Sequence, residues 1–279
     1  MTIQNVQKAI DKLEAIDPND EFAYEKAFMA YKIIQQLPIL IYDIHDNIEV
    51  FRARTHFEDV FYTSKNDISL APHEAIKSFA RCNRPYQSKF YCAENRPTSY
   101  LELVDYWSKE KEIDENLYVT IGRWIVKRPF TTLIITSPDA ENRASKFDLQ
   151  HGPVLDDFIN QYDGEFKEAN ILFYRFLFER FRKSGKEDPL TYLITSAYCN
   201  IALFELPMNV DAIYYPSVPF DGQGVNFAFN NRFINDNNIE LISALRDEFK
   251  VYRVENDKKD FRQINEFESR KVENGIITW

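Results

Sequence analysis

Residues 81–102 read RCNRPYQSKFYCAENRPTSYLE, and the order of structures in this stretch separates the main fold classes. Asn83-Arg84-Pro85 spells a turn, the run up to Tyr91-Cys92-Ala93 a strand, and Asn95-Arg96-Pro97 a second turn. A helix is expected over Thr98–Lys109, with Thr98 as its cap and Tyr100, Leu103 and Trp107 sharing a buried face. Outward from it, Glu49–Arg54 (EVFRAR), Leu117–Ile121 (LYVTI) and Thr131–Thr136 (TTLIIT) are rich in β-branched and aromatic residues and read as strands. Two helices are expected within 153–183 and another over Thr191–Phe204. Asp211–Ser217 reads as a strand entering a loop, Val225–Phe229 as its return, and 239–248 as a helix followed by strands that include FKVYRV. Strands and helices mix without regular βαβ alternation, so the expected class is α+β rather than a doubly wound parallel sheet.

The first 45 residues have a different texture. Ile3, Val6, Ile10 and Leu13 recur at helical spacing over 3–15. Asp17-Pro18-Asn19-Asp20 supplies a turn and a cap for a second helix over 20–36, ended near Pro38. This divides the chain into a helical N-terminal extension, 1–45, forming a small appendage, and a main domain, 46–279.

Composition removes several functions. The 279 residues hold seven glycines against 23 phenylalanines and 16 tyrosines, where average usage gives about 20 glycines. Neither G-x-x-x-x-G-K-[ST] nor G-x-G-x-x-G occurs, so a P-loop and an ordinary Rossmann turn are excluded. A net charge of −10 argues against general affinity for nucleic acid or an anionic membrane. Cys82, Cys92 and Cys199 show neither a disulfide framework nor C-x-x-C spacing, which suits a reducing cytoplasm. The N-terminus has acids where a signal peptide needs an apolar core, and Leu37–Tyr42 is too short to span a bilayer. His45, His56, His73 and His151 are scattered, so no metal is expected, and no G-x-S-x-G points to acyl transfer.

The chemistry concentrates in 81–102, which gathers Arg81, Arg84 and Lys89 in a strongly acidic chain. Arginine clamps a diphosphate through paired, charge-assisted hydrogen bonds. Tyrosine offers a planar face and a hydroxyl, and a carboxylate stabilises positive charge developing at an anomeric carbon. Surface arginines, a packed tyrosine and a glutamate favouring the positive end of a helix explain the same letters.

The order of these residues resembles the RES-domain family of NAD-consuming proteins. That family has an early arginine, an R-x-N-x-P turn, a strand tyrosine, a glutamate eleven residues later, a serine-bearing helix and a Y-P-S-like loop. The counterparts are Arg52 in FRAR, Arg81 in RCNRP, Tyr91 in KFYCA, Glu102 in SYLELV, Ser196 in LITSAYCN and Ser217 in DAIYYPSV, across roughly residues 46–230. Ala80 stands where the family commonly has glycine, and Ala53 where some members have an aromatic residue.

The resemblance implies an ADP-ribosyltransferase-like mixed β core with surrounding helices and NAD as substrate in a cleft. It implies cleavage of the nicotinamide–ribose bond by phosphorolysis or hydrolysis, without a metal, in a toxin held by an antitoxin protein. Inorganic phosphate is then a candidate co-substrate, and a homo-oligomer is compatible. Glu102, Tyr91 and Arg81 would be catalytic, while Arg52, Arg81, Tyr91, Ser196 and Ser217 would bind NAD. Alternatives stay open: transfer of ADP-ribose to a macromolecule, or a catalytically silent nucleotide-binding module. Arg52 could instead pair with a core carboxylate, Ser196 bond back within its helix, Ser217 stabilise a turn, and Asn83 and Arg84 serve the turn and rim.

Overall fold

A computed structural model describes residues 1–279 apart from 57, 102, 104–110, 184, 186–187, 206–208, 218–222 and 254–258. Its centre is a nine-stranded sheet in the order β1-β5-β6-β7-β3-β2-β4-β8-β9, with helices packed around it. The strands are β1 (Ile41–Ile44), β2 (Glu49–His56), β3 (Lys89–Ala93), β4 (Asn116–Val126), β5 (Phe130–Ile134), β6 (Ala212–Pro216), β7 (Val225–Asn230), β8 (Ile239–Arg253) and β9 (Lys259–Glu268). Only the β5–β6 pair is parallel among these neighbours, so the class is α+β, as expected from the missing βαβ alternation.

The central strands are buried on both faces, and alternation decides which side chain goes where. Ala228 of β7, Ile213 and Tyr215 of β6, and the ring of Tyr91 in β3 join one core with the helices. Phe90, Cys92, Phe227 and Phe229 point the other way and pack with Trp124 and Phe233.

The helical face consists of α1 (Ile3–Glu14), α2 (Ala23–Lys32), α5 (Gly164–Arg182) and α6 (Pro189–Asn200). Val6, Leu13, Ala27 and Tyr31 share a core with Phe173, Phe181 and Tyr198, and the Tyr31 hydroxyl donates to Ile194 O at 3.1 Å. Ile41–Ile44 of the N-terminal stretch is strand β1, paired with β5. The helices read over 3–15 and 20–36 are present as α1 and α2, with their apolar stripes buried against α5 and α6. Burial of each large side chain there is worth about 1.5–3 kcal/mol. Helix α4 (Lys146–Ile159) covers a smaller core near β5 and β6.

Three expectations are corrected. The stretch 239–248 is not a helix but the first two-thirds of the 15-residue strand β8. Ile239, Leu241 and Ala244 are buried while Glu240 and Ile242 face outward, and the strand is paired on both sides, with β4 and β9. Those long-range ladders outweigh the helical spacing of Ile239, Ile242 and Leu245. Helix α3 starts at residue 96, and its cap is Asn95, whose Oδ1 accepts the Thr98 N–H at 2.9 Å. Thr98 itself is buried against Gly224, and Trp107 and Lys109 lie outside the described residues. Helix α2 is shorter than 20–36: Asp20 bonds the Phe22 N–H at 2.8 Å before the helix begins, and Gln35 at φ +64° lies beyond its end.

Candidate functional site

A cavity of about 320 Å³ lies where β2 and β3 meet β6, β7 and the starts of α3 and α6. Strand β2 lines it with Phe51, Arg52 and Ala53, β3 with Tyr91 and Cys92, and the preceding turn with Ala80 and Arg81. Ser99 and Leu103 enter from α3, Tyr192 from α6, Tyr215 from β6 and Asn226 from β7. Three residues singled out in the sequence, Arg52, Arg81 and Tyr91, thus share one cavity.

Each arrives by a simple local device. Ala80 and Asn83 bond each other's backbone in a tight turn, N–H to O at 3.0 and 3.3 Å, which sets Arg81 at its first corner. The Tyr91 hydroxyl donates to Asn83 Oδ1 at 2.8 Å and accepts the Cys82 N–H at 2.9 Å, locking strand to turn. Burial keeps that phenol protonated by raising it well above its usual range. Asn83 serves the turn, and Arg84 is exposed and reaches the Tyr24 ring of α2.

The two arginines are both held by carbonyls. Arg52 donates from Nε to Ser69 O at 3.0 Å and from Nη1 to Tyr91 O at 2.7 Å, with its guanidinium over the Phe90 ring. Burial lowers it to about 10, which leaves it charged at neutral pH. Arg81, only 8% exposed, donates to Phe181 O and to Lys183 O at 3.2 Å, at the C-terminal end of α5. Neither has a carboxylate partner among the described residues. A guanidinium carries five N–H donors, so among the described residues each retains three after its two carbonyl bonds. One buried and one half-buried cation beside one cavity give it a positive wall: such charge is costly to bury unpaired, and an anion in the cavity would offset that cost.

The serines are placed differently. Ser196 is fully buried in α6 and its Oγ donates back to Leu193 O at 3.1 Å, so it stands behind the wall rather than in it. Ser217 follows β6, is 1% exposed, and donates its N–H to Gly224 O at 2.8 Å. Glu102 lies outside the described residues, as does Gly222. Helix α3 is pinned at its start: Arg96 Nη2 reaches Asp247 Oδ1 and Glu266 Oε2, each at 2.6 Å. A Cβ on Gly224 would come within 2.2 Å of Thr98 Oγ1, so the small residue lets β7 and α3 approach closely.

Lys89, part of the same basic stretch, takes another course. It is 3% exposed, its Nζ has no hydrogen-bond partner among the described residues, and it sits 4.6 Å from the Phe204 ring centroid. Burial lowers the ammonium to about 8 from an ordinary 10.5. The unfolded chain therefore holds this proton more tightly, and stability rises with pH across that window. The rise amounts to at most about 3 kcal/mol. Urea unfolding between pH 8 and 9.5, below the range in which unfolded tyrosines titrate, should show it in the wild type. Lys89→Met should flatten the slope and be the more stable protein at pH 7.

No protein-family model and no curated protein sequence matches the chain. Phe51, Ser99, Tyr192, Tyr215 and Asn226 were not singled out as site residues in the sequence. Tyr215 carried the nearest signal, two residues before the serine of the Y-P-S loop.

Proposed function

We propose that the cavity binds the diphosphate-bearing half of NAD and that the protein cleaves the nicotinamide–ribose bond. The observation that carries this reading is the pair Arg52 and Arg81, two cations without carboxylate partners among the described residues, lining a cavity they share with Tyr91. Their remaining donors suit the oxygens of a diphosphate, and the Tyr91 and Tyr215 rings suit a ribose and planar base. Glu102 is assigned by the family resemblance. In the proposed step the C1′–N bond breaks and its electron pair leaves with neutral nicotinamide. The ribose carries oxocarbenium-like charge, stabilised by the Glu102 carboxylate, until an acceptor oxygen attacks and gives up its proton to solvent.

The acceptor separates two chemistries. The purified protein is incubated with NAD, with and without inorganic phosphate, and nicotinamide and the ribose product are followed by mass. Phosphate-dependent ADP-ribose phosphate means phosphorolysis, free ADP-ribose means hydrolysis, and a labelled macromolecule means transfer. Absence of any nicotinamide release would overturn the catalytic reading. A silent nucleotide-binding module is the second reading, favoured by the two Arg81 donors committed to the end of α5.

A further inference from the structure

The guanidinium of Arg81 is flanked by two aromatic rings as well as bonded to two carbonyls. Its carbon lies 5.3 Å from the Tyr192 ring centroid and 5.7 Å from that of Tyr215, while two N–H groups bond the last carbonyls of α5. Aromatic contact uses the face of a guanidinium and leaves its in-plane N–H donors available. Tyr192 is itself wedged from behind. A Cβ on Gly185 would fall 2.2–2.4 Å from three carbons of the Tyr192 ring, so only a glycine at this position can lie against that ring.

The start of α6 is tied to α5. Asp188 accepts from Leu190 N at 3.2 Å as the cap of α6, bonds Thr191 Oγ1 at 3.1 Å, and is paired at 2.8 Å with the buried Arg180 of α5. The Tyr192 ring, one turn into α6, is thus placed between the Gly185 backbone and the Arg81 cation. Tyr192 is half-exposed and lines the cavity.

We infer that Tyr192 is a positioning residue that sets the plane of the Arg81 guanidinium for a diphosphate, with Gly185 holding the ring in place. The inference rests on the NAD reading and adds to it a residue that acts through Arg81. Tyr192→Phe keeps the ring and should behave as wild type. Tyr192→Leu should raise KM for NAD and the inhibition constant of ADP-ribose together by about 5–30-fold, the worth of one desolvated cation–π contact. It should leave kcat and inhibition by nicotinamide, which lacks phosphate, within about twofold. Gly185→Ala, whose methyl must displace the ring, should shift the same constants in the same direction.

Thermal melting of each variant separates a folding defect from this signature. A fold-wide defect would move kcat and nicotinamide inhibition as well, and would overturn the inference. So would a Tyr192→Leu protein that binds ADP-ribose as the wild type does, although the NAD reading would then survive. Failure of the wild type to bind NAD or ADP-ribose would remove both.

Discussion

Replacing Glu102 by glutamine should lower kcat for nicotinamide release about 10²–10³-fold while leaving NAD binding nearly unchanged. Glutamine keeps the size of the side chain and its ability to hydrogen-bond a ribose hydroxyl, but it removes the negative charge. That charge matters little in the ground state, where nicotinamide-linked C1′ is not yet a free cation, and much in the transition state. An interaction made only there lowers kcat and kcat/KM together. Single-turnover mixing of NAD with enzyme in excess, with nicotinamide read by mass, gives the chemical step directly. A Glu102→Gln enzyme as fast as wild type would remove Glu102 from the mechanism.

The arginine pair should show the opposite pattern. Arg81→Lys and Arg52→Lys each retain a cation and shorten the fork to a point charge. A charge-assisted hydrogen bond to a buried group is worth about 1.5–3 kcal/mol, so each variant should weaken NAD and ADP-ribose about 10–100-fold. Calorimetric titration with ADP-ribose measures this without turnover. Lysine is preferred to alanine because Arg81 also satisfies Phe181 O and Lys183 O, and alanine would leave the end of α5 unpaired. Unchanged ADP-ribose affinity in both variants would mean that the cations serve only those carbonyls. The two variants lie on separate strands of support, Arg52 on Ser69 O and Tyr91 O and Arg81 on α5, so their effects test the cavity from two sides.

The comparison of reading and structure has a physical pattern. Strands β2, β3, β6 and β7 were legible because β-branched and aromatic residues alternate within a few positions, bounded by turn residues. Helices α1, α5 and α6 were legible for the same local reason at a period of 3.6. Strand β8 was not: Ile239, Ile242 and Leu245 fit a helix face, and the ladder to β4 pairs it with residues more than a hundred positions away. The meeting of Arg52, Arg81 and Tyr91 was an expectation of the family resemblance, carried by their order in the chain. Tyr192 and Tyr215 reach the same cavity from elements distant in the chain; only Tyr215 had a local mark, the Y-P-S loop, and Tyr192 had none. Lys89 was grouped with Arg81 and Arg84 by closeness in sequence; a lysine is almost never fully buried, and only the packing of Phe204 and its neighbours reveals that this one is.

The central claim is that the cavity between Arg52 and Arg81 holds the diphosphate of NAD. A crystal structure of the protein grown with saturating ADP-ribose tests it most directly. The account predicts diphosphate oxygens within hydrogen-bond reach of both guanidinium groups and the ribose beside Tyr91. ADP-ribose seated elsewhere, or a diphosphate that leaves both arginines bonded only to their carbonyls, would contradict it.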